Sequence, residues 1–272
     1  AGNTVVAFAQ FGGSAFYSCR VADDALGHFY ADDLHTNGVD SNLTQPHQGL
    51  ATGATTGSCL VLVTPDAERT MCTYLGTTAD LDEKALNLDA IASAGVYYME
   101  GYLAASQTGL AAAMAGRAHA VANQVPLALT LSDVSMINFC RAGLDAMLGD
   151  GVDYLFCNEE EAQVWCGTSD LLGITQTMGT LAKTVCLTRG AKGTLVIQGD
   201  QVQDVPGFPI KALDANGAGD MFAGAFLFGI SQNMTVGQAA SLANKAAAAV
   251  VAQYGNRLTR EKVQTILAST TA

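Results

Sequence analysis

From about residue 95 onward, short runs of β-branched, aromatic and aliphatic residues alternate with Ala-rich stretches of helical period. Val96-Tyr97-Tyr98-Met99 predicts a strand and Gln107 to Asn123 a helix. Pro126 to Leu131 predicts a strand, Met136 to Leu148 one helix, and Tyr154 to Cys157 a strand. A helix follows from Glu159, and Thr184 to Leu187 reads as a strand again. This alternation predicts an α/β fold: a central, mostly parallel sheet flanked by helices on both faces. Thr194 to Gln198 and Gln201 to Val205 flank Gly199-Asp200 and predict a hairpin. Met221 to Ile230 is an apolar helix, and Thr235 with Gln238 reads as a capping box opening a helix to about Gln253.

The first third is patterned differently. Val5 to Phe11 reads as a helix that ends in the Gly12-Gly13-Ser14 turn, and Ala15 to Arg20 as a strand. Ala25 to Thr36 predicts a helix. Thr55 to Val63 and Thr70 to Tyr74 predict antiparallel strands around Pro65-Asp66. This hairpin, within residues 49–77, either extends the sheet or stands off it as a small β lid. With no repeat, low-complexity tail or linker, residues 1–272 read as a single domain.

Nearly half the residues are hydrophobic, at 49% of 272, so a large core is available. The net charge of −12 argues against nucleic acid as a partner. No apolar run reaches the ~18 residues of a membrane span, and no secretory signal opens the chain. The seven cysteines are odd in number, form no C-x-x-C pair and read as small buried hydrophobes in a reducing compartment. A cytoplasmic location is therefore expected. The four histidines are scattered without metal-ligand spacing.

Candidate chemistry collects where predicted strands end. Glu100 and Tyr102, Asp133, Asn158 and Glu161, and Thr188 with Gly190 each follow a strand's carboxyl end. Ligands of open α/β sheets bind at that rim. The stretch Asp214-Ala215-Asn216-Gly217-Ala218-Gly219-Asp220 enters the apolar helix from Met221. Glycines let backbone N–H groups gather around an anion, and the helix start adds its positive dipole end. Asp220, on the first turn, is placed to take a proton from an attacking hydroxyl. No G-x-x-x-x-G-K-[ST] occurs, and Gly217, Gly219 and Gly224 lack dinucleotide-fold spacing. Asn158-Glu159-Glu160-Glu161 suits a helix dipole, and Asn158 and Glu161 face one side, where they can order water and Mg²⁺ beside phosphate. Thr188-Arg189-Gly190-Ala191-Lys192-Gly193 offers a hydroxyl and open backbone between two strands.

The set N-x-x-E (Asn158, Glu161), T-x-G-x-x-G (Thr188, Gly190, Gly193) and D-x-N-G-A-G-D (Asp214 to Asp220) resembles the ribokinase/PfkB family of carbohydrate and nucleoside kinases. Upstream, Ala1-Gly2-Asn3-Thr4 is similar to the end of the family's G-G-x-x-x-N segment. Arg20 to Gly27 resembles its G-x-D-x-x-G turn, and Asn37-Gly38-Val39 its G-V step. The likeness implies a ribokinase-like fold and γ-phosphoryl transfer from ATP, with Mg²⁺, to a primary hydroxyl. It implies Asp220 as base and the N–H groups of Gly217, Ala218 and Gly219 as anion hole. Asn158 and Glu161 would order Mg²⁺ through water, and Thr188, Gly190 and Gly193 would line ATP. Asn244 would lie near the adenine, and Asn3 would lie by the acceptor. Arg69, a substrate-binding candidate from its own position, either reaches a phosphate or is a simple polar strand-end residue. Asp214 and Asn216 would shape a monovalent-cation (K⁺) site.

Asn216, Glu68-Arg69-Thr70-Met71 and Tyr98 to Leu103 are similar to segments of adenosine and inosine-guanosine kinases. The 5′-hydroxyl of adenosine or a related purine nucleoside is thus the first expected acceptor. A sugar kinase acting on fructose, ribose or a keto-deoxy acid is the alternative, and a catalytically silent nucleoside-binding protein is the other. Family members open with a strand and lid segment, which is expected to be missing before residue 1. A monomer and a homodimer are both compatible with the pattern.

Overall fold

The computed structural model describes residues 1–43, 50–64 and 69–270. Helix α1 (Gly2–Phe11) leads to β1 (Ala15–Tyr17), α2 (Ala25–Thr36) and β2 (Val39–Ser41), then to β3 (Ser58–Val63) and β4 (Arg69–Tyr74). Next come α3 (Leu88–Ala92), β5 (Tyr97–Glu100), α4 (Gln107–Ala122), β6 (Leu127–Thr130), α5 (Val134–Phe139) and α6 (Arg141–Leu148). After these follow β7 (Val152–Asn158), α7 (Glu159–Cys166), α8 (Leu171–Met178), β8 (Ala182–Thr188), β9 (Thr194–Gln198) and β10 (Gln201–Val205). The chain ends with α9 (Ala218–Ser231), α10 (Val236–Val251) and α11 (Arg260–Ala268).

The central sheet has six strands in the order β10-β9-β8-β7-β6-β5. Strands β5 to β8 are parallel neighbours, and the β9–β10 hairpin closes one edge in antiparallel fashion. Alternation along the strands feeds two separate cores, because successive side chains leave opposite faces. Leu129, Leu155, Cys157, Val185 and Leu187 pack into one core with Leu144, Met147, Trp165, Ile174 and Met178. Ala128, Phe156, Cys186 and Val196 pack into the other with Phe222, Phe226, Leu242 and Val263. On that second face Phe226 meets Phe156 edge-on at 5.6 Å and stacks with Phe222 at 6.2 Å.

Helix α1 belongs to two cores. Ala7 and Phe11 join the α9 side, while Val6 and Ala9 join Leu34, Val21 and Val39 beneath α2 and β2. Gly224 permits the close approach of α1 and α9. A methyl group there would sit 2.6 Å from the Thr4 carbonyl oxygen. Gly12 ends α1 in the left-handed conformation, with its N–H on the Ala9 carbonyl, as the Gly-Gly-Ser turn predicts.

Three expectations change, and one open alternative is decided. The helix predicted over Met136 to Leu148 is two helices, broken at Cys140, where φ −124° and ψ 22° leave the helical region. After that break Arg141 stacks its guanidinium on the Trp165 ring, 3.4 Å from the centroid, and donates to the Trp165 carbonyl. That anchor on α7 redirects the chain. The strand from Ala15 stops at Tyr17 and pairs in parallel with β2 alone, outside the central sheet. Strands β3 and β4 form their own antiparallel pair and do not extend the central sheet. The predicted turn at Pro65-Asp66 lies outside the described residues. All seven cysteines are free, but only Cys19, Cys157 and Cys186 are buried. Cys59 and Cys72 are exposed because a two-stranded pair has no second layer over it.

Candidate active site

The Asp214–Asp220 loop is pinned at its base. The N–H groups of Leu213 and Asp214 both donate to the Val251 carbonyl, at 2.8 and 3.3 Å. The buried Asp214 carboxylate accepts the N–H of Asn216 at 2.9 Å and of Gly255 at 3.0 Å. Gly217 then turns the chain into α9 with φ 78°, and a Cβ there would lie 2.6 Å from the Asn256 carbonyl oxygen. Only glycine meets both conditions without strain. Gly219 faces open space, with nothing within 4 Å of a Cβ built on it. The first N–H groups of α9 lack intrahelical partners, and the dipole makes this mouth attractive to anions.

Asp220 projects from that first turn. Thr4 Oγ1 donates to Asp220 Oδ1 at 2.6 Å, and Asn3 Nδ2 donates to Asp220 Oδ2 at 3.3 Å. Asn3 Oδ1 accepts from Arg257 Nε at 2.9 Å, and the Arg257 guanidinium also pairs with Asp33 of α2. Tyr98 of β5 hydrogen-bonds Thr4 and Thr130. Burial pushes its hydroxyl well above the ordinary tyrosine value, and the Asp220 charge adds to the effect. Thr4 and Tyr98 fall within segments that resemble the family but were given no role from sequence, and Arg257 was not singled out. A small polar residue next to Asn3 was the one available signal.

The strand ends gather as the alternation predicts. Glu100 is paired in register with Thr130, and Asn158 with Thr188, along the carboxyl ends of the parallel strands. Asn158 and Glu161 form a full capping box at the start of α7. Glu161 Oε1 and Oε2 accept from Asn158 Nδ2 at 2.8 Å and Asn158 N at 3.0 Å, and Asn158 Oδ1 accepts the Glu161 N–H at 2.8 Å. The buried carboxylate is therefore rigidly held. Among the described residues no group of three or more His, Cys, Asp or Glu could hold a metal.

A cavity of about 280 Å³ opens beside the α9 mouth. Thr188, Gly190, Gly193, Ala218, Gly219 and Asn244 line it, together with Phe208, Ile210, Ala247, Ala248 and Val251. Its size and apolar walls suit a nucleobase and ribose, and its polar end meets the helix mouth. Asn244 is committed to the protein: Oδ1 accepts from Thr194 Oγ1 at 2.7 Å, and Nδ2 donates to the Val205 and Pro206 carbonyls at 3.1 and 3.2 Å. The apolar lining from Phe208 to Val251 escaped the motif reading because it has no chemical signature. Asp133 caps α5 by accepting the Ser135 N–H at 2.7 Å. Arg69 begins β4 in the separate hairpin.

Comparison with known proteins matches residues 1–262 to the pfkB family of carbohydrate kinases. The adenosine kinase of Schizophyllum commune is 27% identical over 274 residues, covering 92% of this chain and 77% of that protein. Fructokinase-2 of Solanum lycopersicum is 27% identical over 243 residues, covering 86% of this chain and 72% of its own. The crystal structure of adenosine kinase from Sinorhizobium meliloti superimposes with a TM-score of 0.93 at 30% identity, covering 99% of this chain and 82% of that one. No helix among the described residues is long and apolar enough to cross a membrane. With a family match across nearly the whole chain and the fold that goes with it, this protein belongs to the pfkB family and is a phosphotransferase acting on hydroxyl acceptors.

Proposed function

We propose that this chain transfers the γ-phosphoryl group of ATP to the 5′-hydroxyl of adenosine or a related purine nucleoside. The observation that carries the reading is Asp220, held by Thr4 and Asn3 on the open first turn of α9, beside a nucleotide-sized cavity. In this reading ATP lies along Thr188, Gly190 and Gly193 with its base among the apolar walls near Asn244. Its phosphates reach the N–H groups of Gly217, Ala218 and Gly219. Asp220 accepts the proton of the acceptor hydroxyl as that oxygen attacks the γ-phosphorus in line. The bond to the bridging oxygen breaks and ADP leaves. The helix mouth stabilises the charge on the migrating group. Mg²⁺, when bound, would neutralise the β- and γ-phosphate oxygens, and Asn158 with Glu161 would order its water shell.

Asp214 and Asn216 are the proposed support for a monovalent cation, K⁺. The Asp214 oxygens each accept one N–H and retain lone pairs. Asn3 and Arg69 are the proposed acceptor contacts. Nucleoside specificity is supported by the two adenosine kinases, one 27% and one 30% identical. The plant fructokinase, also 27% identical, supports a second reading in which the acceptor is a sugar.

An ADP-release assay over adenosine, inosine, guanosine, cytidine, fructose and ribose, with Mg²⁺ and ATP, separates the two. Turnover with adenosine at least tenfold above the sugars is expected. Fructose or ribose as the better acceptor overturns the nucleoside assignment. Asp220→Asn is expected to bind ATP normally and to lose several orders of magnitude in kcat; near-normal turnover removes Asp220 from the role of base.

A further inference from the structure

Among the described residues, none lining the nucleotide-sized cavity is charged, whereas the rim beside it is acidic. Asp220 stands on the first turn of α9, and the first turn of α7 carries Glu159, Glu160 and Glu161. Carboxylates in these places repel the phosphates of an incoming nucleotide. Three cations adjoin lining residues in sequence. Arg189 is paired with Asp204 at 2.5 Å and is nine-tenths covered. Lys211 stands between Ile210 and Ala212 on the apolar wall. Lys192 stands between Ala191 and Gly193, and its Nζ meets Glu159 Oε2 at 3.4 Å.

The Lys192–Glu159 contact spans two neighbouring strand ends. Asn158 and Thr188 are register partners where β7 and β8 finish, so Glu159 and Lys192 belong to the two sides of one gap. The loop that carries Lys192 is stiff. Arg189 N donates to the Gly193 carbonyl at 2.7 Å and Gly193 N to the Gly190 carbonyl at 3.0 Å. A Cβ on Gly193 would lie 2.2 Å from the Val205 carbonyl oxygen. The backbone of Lys192 is thereby fixed, while its side chain is 68% exposed on a flexible four-carbon stem. A long contact between solvated groups is weak, so little is lost when it breaks. Phosphate oxygens, which carry more charge, are the stronger partner for an ammonium. Glu159, once released, still faces the positive end of α7.

We propose that Lys192 is a contact for the phosphates of the donor nucleotide, and that Glu159 holds its ammonium until the nucleotide binds. The assignment rests on the donor lying along Thr188, Gly190 and Gly193. Glu159 and phosphate compete for one ammonium, so the two partners of this ion pair have opposite effects on nucleotide affinity. An ion pair that merely tied the loop to α7 would give the same effect when broken from either side.

Calorimetric titration with Mg²⁺ and adenylyl imidodiphosphate, a non-transferring ATP analogue, tests this without turnover. Lys192→Gln is expected to raise the Kd by about three- to fivefold, the upper range for an exposed charge contact, and Lys192→Arg to restore most of it. Glu159→Gln is expected to lower the Kd about twofold. Glu160→Gln removes the same charge from the same turn outside the Lys192 contact and is expected to change the Kd less. In the Lys192→Gln background Glu159→Gln should do no more than Glu160→Gln, because the competition is gone. Weaker binding in both Lys192→Gln and Glu159→Gln overturns the proposal. So does an unchanged Kd in Lys192→Gln, or a Glu159→Gln effect no larger than that of Glu160→Gln. Wild type that binds no analogue defeats the donor site itself, and the role of Lys192 with it.

Discussion

Thr4 and Asp220 are 216 positions apart in the chain, and their side chains share a 2.6 Å hydrogen bond in which the threonine hydroxyl donates to the carboxylate. The contact exists because α1 lies against α9 at Gly224, closely enough that any larger residue would strike the Thr4 carbonyl. The proposed base is thus oriented by the first helix of the chain.

Thr4→Val keeps the shape and removes the donor. A hydrogen bond to a charged group contributes about 1.5–3 kcal/mol, so kcat is expected to fall roughly tenfold or more. The KM for ATP should change little, since Thr4 is not among the residues lining the nucleotide-sized cavity. Steady-state kinetics with ATP and acceptor varied separately checks this.

Gly217→Ala places a Cβ on a residue with φ 78° and within 2.6 Å of the Asn256 carbonyl. Strain of this kind costs about 1–3 kcal/mol. Both the denaturation midpoint and turnover are expected to drop, because the displaced loop also carries the α9 mouth. Urea unfolding alongside the kinase assay measures both.

In the proposed ATP pose, the base end of the cavity offers no uncommitted side-chain amide. Asn244 uses its oxygen and its NH₂ within the protein, and the remaining walls there are Phe208, Ile210, Ala247, Ala248 and Val251. In that pose, discrimination between donor bases rests on shape. The kcat/KM values for ATP and GTP are expected to fall within about tenfold of each other, because strong rejection requires buried polar groups left unpaired. Ala248→Phe, which fills the cavity, should raise the KM for both.

Asp24 gives a pH-dependent contribution to stability. Its carboxyl lies below the ordinary value of 3.8, first because the Thr56 N–H donates to it, then through the Thr56 hydroxyl and the Gly27 N–H. These bonds, at 2.8, 2.7 and 2.8 Å, tie the start of α2 to the approach to β3. A folded-state pKa below the unfolded one adds stability above the unfolded pKa, about 3.9. That stability disappears as pH falls through the lower folded value. Asp24→Ala should therefore lower the melting temperature at pH 7, and the gap from wild type should shrink as pH falls below about 4. Thermal unfolding followed by circular dichroism at both pH values tests it.

Local signals made much of the architecture readable. Short β-rich runs between Ala-rich stretches predicted strands β5 to β8, and Gly199-Asp200 predicted the β9–β10 hairpin. The acids of Asn158-Glu159-Glu160-Glu161 marked one helix start and the Thr235–Gln238 capping box another. Both helices begin there, and Asn158 with Glu161 closes a second box that had no assignment from sequence. Such features depend on residues within a turn of each other, so the one-dimensional order already contains their geometry. The break at Cys140 escaped because a contact across the fold, Arg141 on Trp165, decides it.

The sequence by itself determined the chemistry on offer: an acid on a glycine-rich helix start, an Asn-x-x-Glu box, and strands that would bring their ends to one rim. Tertiary structure alone decided what holds that chemistry in place. Thr4 and Asn3 meet Asp220, and Arg257 meets Asn3, only because α1 and the segment after α10 fold back against α9. The apolar cavity walls likewise come from separate parts of the chain. Proximity between residues more than 200 positions apart arises from packing, and no local pattern carries it.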